Sequence, residues 1–73
     1  MRKTFKILEI DCANCAAKIE TNINKIDGVN TATVNFFAQK LIIDADEDRF
    51  DEIMEEVVRA ARKVERHCEV IPL

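Results

Sequence analysis

The chain has 73 residues and a formal net charge of −3, with 48% hydrophobic and 34% charged side chains. That length holds one domain with a small core, spanning residues 1–73. The acidic balance excludes a nucleic-acid partner, which needs a basic face to neutralise phosphates, and no apolar run is long enough for insertion into a bilayer.

The N-terminus, Met1-Arg2-Lys3-Thr4, meets charge where a secretion signal continues apolar, so no signal is expected. Thr4 to Ile10 then predicts a strand with Phe5 and Ile7 on one face. Asp11 to Asn14 breaks that alternation. Ile19, Ile23 and Ile26 follow at helical spacing, a stripe on a first helix. Asp27-Gly28 ends it, with Gly28 suited to a left-handed C-terminal cap. Asn30 to Phe36 predicts a second strand, in which Ala32, Val34 and Phe36 alternate with Thr31, Thr33 and Asn35. Phe37-Ala38-Gln39-Lys40 is long enough for a hairpin but weak in turn chemistry. Leu41 to Asp44 is a short third strand.

Phe50, Ile53, Met54, Val57, Ala61 and Val64 form the continuous stripe of a second helix. Asp46, Glu47 and Asp48 crowd its start and Arg59, Arg62 and Lys63 its end, the arrangement the helix dipole favours. These charge runs therefore describe a solvated helix rather than an acidic docking patch. Cys68 to Ile71 predicts a last strand that Pro72 stops. The order is βαββαβ. Burying both stripes in one core calls for an α+β fold: one four-stranded antiparallel sheet with both helices on one face. Right-handed crossovers in each half make this the ferredoxin-like arrangement.

The cysteines are Cys12, Cys15 and Cys68, and an odd number closes no disulfide framework. Reduced thiols in the cytoplasm are the simpler reading. Asp11-Cys12-Ala13-Asn14-Cys15 places two sulfurs close enough to share one ion at a strand-to-helix junction. Cys12 falls in the loop and Cys15 in the first helical turn, where unpaired N–H groups stabilise a thiolate. Thiolates select soft or borderline ions such as Cu(I), Zn(II) and Cd(II). Two sulfurs leave the shell incomplete, which suits a site that passes its ion on. The same spacing also serves thiol-disulfide oxidoreductases. Against that reading, Asp11 is expected to raise the neighbouring thiol rather than lower it. A pair of plain buried cysteines is the remaining alternative, and a loop is the wrong place for it.

Several segments carry a resemblance: Ile10-Asp11-Cys12-Ala13-Asn14-Cys15-Ala16, Ala17-Lys18-Ile19-Glu20, the Asp27-Gly28-Val29 turn and Ala32-Thr33-Val34-Asn35. Through them nearly the whole chain resembles the heavy-metal-associated domain. That family occurs in metallochaperones and in the cytosolic N-terminal parts of metal-pumping P-type ATPases. The resemblance implies the ferredoxin-like fold and one metal ion held by Cys12 and Cys15.

The departures matter. The family's usual loop reads Gly-Met-Thr-Cys, and here Glu9-Ile10-Asp11-Cys12 stands in its place. Ile10 replaces the Met as an apolar plug beneath the loop. Asp11 replaces a hydroxyl with a carboxylate. Glu65 and Arg66 stand where copper domains often carry Gly-Tyr or Gly-Phe. An Asp before the first cysteine is similar to the zinc-, cadmium- and lead-exporting ATPases. Coordination chemistry agrees, because Cu(I) is satisfied by two thiolates whereas Zn(II) and Cd(II) take more ligands, oxygen included.

Asp11 has two readings, a third ligand or a helix N-cap. Glu65 can reach the site from its loop, although a solvated carboxylate is the plainer expectation. Cys68 reads as a core residue of the last strand, His67 as exposed and Met54 as part of the second helix's stripe. The expected function is non-enzymatic. One Zn(II), Cd(II) or Pb(II) ion is bound for delivery to, or regulation of, a membrane metal-transporting ATPase. The alternatives are a Cu(I) metallochaperone and, in another class, the oxidoreductase. A monomer is expected, with an ion-bridged dimer as the other arrangement.

Overall fold

Alternation at Phe5 and Ile7 builds the first strand, β1 (Arg2–Leu8), in the computed structural model, which describes residues 1–73. The strand begins and ends two residues earlier than its sequence pattern, and Glu9 and Ile10 belong to the following loop. The first helix, α1 (Ala13–Asn24), buries Ala16, Ile19 and Ile23. It ends earlier than expected. Lys25 at its end is right-handed helical, and tight turns carry the chain on through Lys25 N–H to Asn22 C=O and Ile26 N–H to Ile23 C=O. Gly28 is therefore not the helix cap. It is left-handed (φ +98°) in the turn before β2, and a Cβ there would stand 2.7 Å from Ile53 Cδ1. Ile26 lies past the helix but still packs against the core.

β2 (Val29–Asn35) and β3 (Lys40–Ala45) pair as a hairpin. Its turn chemistry comes from Asn35, whose Oδ1 accepts from the Ala38 N–H at 3.0 Å, and from a left-handed Gln39. A short 3-10 turn, Glu47–Arg49, leads into α2 (Phe50–Val64). α2 buries Phe50, Ile53, Val57 and Ala61, with Met54 and Val64 packed alongside. Asp51 and Glu52 open it and Arg62 and Lys63 close it, which complements its dipole. β4 (Glu69–Pro72) finishes the sheet. Pro72 does not stop this strand. It pairs with Phe5, which an edge strand tolerates.

The strand order is β2-β3-β1-β4, antiparallel throughout. Both helices contribute to the one core, where Ile19 and Ile23 of α1 and Ile53 and Val57 of α2 meet Ile7, Leu41 and Ile43 of the sheet. This is the ferredoxin-like α+β architecture. Cys68 is a core member, 1% exposed, as its position in the pattern required.

The topology gathers three connections at one end. β1 runs toward the cysteine loop, and its last residues pair with Lys40 at the hairpin and Glu69 after α2. The Ile7 N–H bonds the Gln39 carbonyl at 3.0 Å, which ties the hairpin to the root of the loop.

Candidate metal centre

The cysteine loop leaves β1 through Glu9, whose backbone is left-handed (φ +66°) although it carries a side chain. This is the position where the resembling family places glycine. Ile10 follows and packs against the core from beneath the loop. Asp11 is exposed. Cys12 has an extended backbone (φ −156°, ψ 164°) and is the N-cap of α1. Its sulfur accepts from the Cys15 N–H at 3.4 Å, and its carbonyl accepts from the Ala16 N–H at 3.2 Å. Capping by Asp11 is thereby corrected, since the residue after it does the work. The signal was present in the sequence: C-x-x-C has the N-cap-to-N3 spacing of a capping box.

α1 has no acidic residue in its first turn, and the side chain that answers its unpaired N–H groups is the Cys12 sulfur. The two Sγ atoms lie 3.1 Å apart. Cys12 is exposed and Cys15 half-buried. The Cys15 side chain, then the backbone N–H groups of Cys15 and Asn14, hold the Cys12 thiol below its usual value. Cys15 moves the other way. The Glu65 carboxylate, then the Cys12 sulfur, hold its proton and push it up to about 12. The expectation that Asp11 would raise the thiol and leave the pair without a nucleophile is corrected. The raising charge is Glu65, and it acts most strongly on Cys15.

Glu65 is the residue on which α2 ends, and its N–H still bonds the Ala61 carbonyl at 3.0 Å. The fold thus pairs Cys12 with Cys15 and turns the Glu65 charge toward Cys15, while Asp11 adjoins Cys12 in the chain. His67 is exposed, and burial pushes the Cys68 thiol up, away from the thiolate that binds metal. No group of three or more His, Cys, Asp and Glu side chains converges on one point, so the dithiol is the preformed part of the site.

The sequence model of the heavy-metal-associated domain family matches residues 4–67. The chain belongs to this family. It is a heavy-metal-binding domain of the kind found in metal-transporting P-type ATPases. The domain is 43% identical over 47 residues to a zinc/cadmium/lead-transporting P-type ATPase of Escherichia coli (strain K12), covering 64% of this chain and 6% of that protein. It is 34% identical over 70 residues to a cadmium, zinc and cobalt-transporting ATPase of Bacillus subtilis (strain 168), covering 96% of this chain and 10% of that protein. The domain therefore spans a tenth or less of either relative.

Solved structures agree on the fold. The N-terminal domain of ZntA in its apo form superposes with a TM-score of 0.68 at 30% identity, covering 99% of this chain and 90% of that one. The Cu(I)-loaded N-terminal domain of a potential copper-translocating P-type ATPase from Bacillus subtilis gives 0.74 at 26% identity, covering 97% and 84%. The backbone is thus shared with a domain in its Cu(I)-loaded state, and the fold alone selects no metal. No helix of the domain is long and apolar enough to cross a membrane.

Proposed function

We propose that the domain carries one Zn(II), Cd(II) or Pb(II) ion between the Cys12 and Cys15 thiolates, with Asp11 as a third ligand. It presents that ion to a metal-exporting P-type ATPase on the cytoplasmic side, as part of such a pump or as a free chaperone. Glu65 raises the Cys15 thiol in the metal-free protein and serves as a further oxygen donor once an ion displaces the thiol proton.

The observation that carries this reading is the sulfur pair, 3.1 Å apart at a helix N-terminus. With metal–sulfur bonds of about 2.3 Å, tetrahedral coordination sets two sulfurs about 3.8 Å apart, and a linear pair at the same bond length needs about 4.6 Å. The bent arrangement demands less of the loop. Asp11, next to Cys12 in the chain, offers the kind of oxygen that divalent ions accept and Cu(I) does not need. The Escherichia coli relative's zinc, cadmium and lead transport supports the same choice.

Anaerobic titration of the reduced protein with Zn(II), Cd(II), Pb(II) and Cu(I) tests it. One divalent ion per chain, bound tightly at neutral pH, is the expected result. Tight Cu(I) binding with no stoichiometric divalent binding overturns it in favour of a copper chaperone.

The lowered Cys12 thiol favours a second reading, thiol-disulfide exchange. A resolving thiol held near 12 attacks slowly at neutral pH. Disulfide-reductase turnover by the metal-free protein would establish that reading instead.

A further inference from the structure

The free edges of the sheet are finished in two different ways. Along β2 the register directs the backbone groups of Thr31, Thr33 and Asn35 to β3 and turns those of Ala32 and Val34 outward. Such an outward row is a template for another strand. Here α1 occupies it. Asn24 Nδ2 donates to the Ala32 carbonyl at 3.0 Å, and Asn24 Oδ1 accepts from the Ala32 N–H at 2.9 Å. Glu20 Oε2 accepts from the Val34 N–H at 2.8 Å. Asn24 Nδ2 also donates to the Glu20 carbonyl at 2.9 Å, which fixes the plane of its amide. A carboxamide offers one acceptor and a donor in the geometry of a peptide group, so Asn24 stands in for a residue of a neighbouring strand.

The β4 edge needs no such cover. The Leu73 N–H bonds the Thr4 carbonyl at 3.4 Å, which turns the backbone of Val70 and Pro72 outward. Proline has no N–H to offer there, and the strand is four residues long. β2 has neither device. Val29-Asn30-Thr31-Ala32-Thr33-Val34-Asn35 contains no proline, no glycine and no charge. Beyond the bulge between Val29 and Thr31, Glu20 and Asn24 are its protection.

We propose that the β2 edge is a self-pairing surface held shut by Glu20 and Asn24, and that the partner it fits is the β2 edge of a second copy of this chain. Threonine stands on both sides of Ala32. An antiparallel pairing on a two-fold axis at Ala32 sets Ala32 against Ala32 and Thr31 against Thr33. Each Ala32 then exchanges with its counterpart the two hydrogen bonds that Asn24 now supplies, and Val34 lies opposite Asn30, at the bulge between Val29 and Thr31. Cross-strand threonine pairs are favourable, and alanine at the axis crowds nothing. Glu20 and Asn24 lie outside the buried stripe of α1, so removing their side chains leaves Ala16, Ile19 and Ile23 packed.

The test uses metal-free protein with chelator present, so that an ion-bridged dimer does not contribute. Sedimentation velocity over a concentration series is paired with residue-resolved amide exchange. The wild type and Glu20→Gln, which keeps an acceptor, are expected to remain monomeric with slow exchange at Ala32 and Val34. The Glu20→Ala/Asn24→Ala double variant is expected to double its mass as concentration rises. Its Ala32 and Val34 amides should exchange fast when dilute and regain protection as it associates. A folded double variant that stays monomeric at every concentration overturns the proposal. So does association without regained protection at those two amides. If the double variant does not fold, Asn24→Ala and Glu20→Ala each remove the acceptor of one outward N–H, that of Ala32 or that of Val34, and carry the same test. Two folded, monomeric single variants with unchanged exchange at Ala32 and Val34 also overturn it.

Discussion

Glu65 raises the proton affinity of Cys15. Its carboxylate, at the end of α2, is the largest reason the thiol sits at about 12. An incoming ion has to displace that proton. Across the neutral range affinity should therefore rise by about tenfold per pH unit from this thiol alone. Glu65→Gln is expected to move the Cys15 step down in an ultraviolet thiolate titration and to shift the metal-binding edge to lower pH. If Glu65 acted only as a ligand, the variant would bind more weakly at every pH and its thiol titration would not move.

Cys12→Ser and Cys15→Ser are each expected to abolish tight binding while leaving the far-ultraviolet circular dichroism unchanged, because neither sulfur belongs to the core cluster. Cys68→Ala should do the reverse. Its side chain is 1% exposed in the core, so a loss of about 1 kcal/mol in denaturant stability is expected with near-native metal affinity. Near-native affinity in either serine variant would remove the site assignment.

Asp11→Thr separates a ligand from a bystander. Cys12 already caps α1, so the change should cost little stability. Loss of a ligand oxygen should weaken Zn(II) or Cd(II) binding by at least about tenfold, the lower end of what even supporting residues contribute. Cu(I) binding should hold or improve. Parallel competition titrations give the ratio, and an unchanged ratio would make Asp11 a plain loop residue.

Two backbone positions make opposite predictions. Glu9 is left-handed at φ +66°, a conformation that strains a residue with a side chain. Glu9→Gly is expected to raise stability by up to about 1 kcal/mol. Gly28→Ala should lower it by about 1–3 kcal/mol, since φ is +98° and the new Cβ meets Ile53. Urea unfolding of the two variants measures both.

Much of this molecule was legible in its sequence because periodicity and burial agree. The stripe from Phe50 to Val64 is a helix face, and Phe5, Ile7 and Ala32 fall where alternation put them. The dithiol was legible because its spacing is local. What escaped depended on contacts between distant segments or on backbone form. Nothing in the sequence singled out Glu20 or Asn24, and only the folded sheet shows what they bind. Glu65 was a loop carboxylate until the end of α2 set it against Cys15. The left-handed turn at Glu9 was invisible because no glycine marks it. Pro72 misled because its edge position was not yet known.

The core cluster ends at Ile7, Ala61 and Cys68, with Ile10 packed over it and both metal thiols outside. On the proposed reading, loading an ion asks only two sulfurs outside the core to part by a fraction of an ångström. Opening such a port is a loop motion, about nanoseconds to microseconds, rather than a partial unfolding. Handing the ion on would then turn on ligand competition at the port.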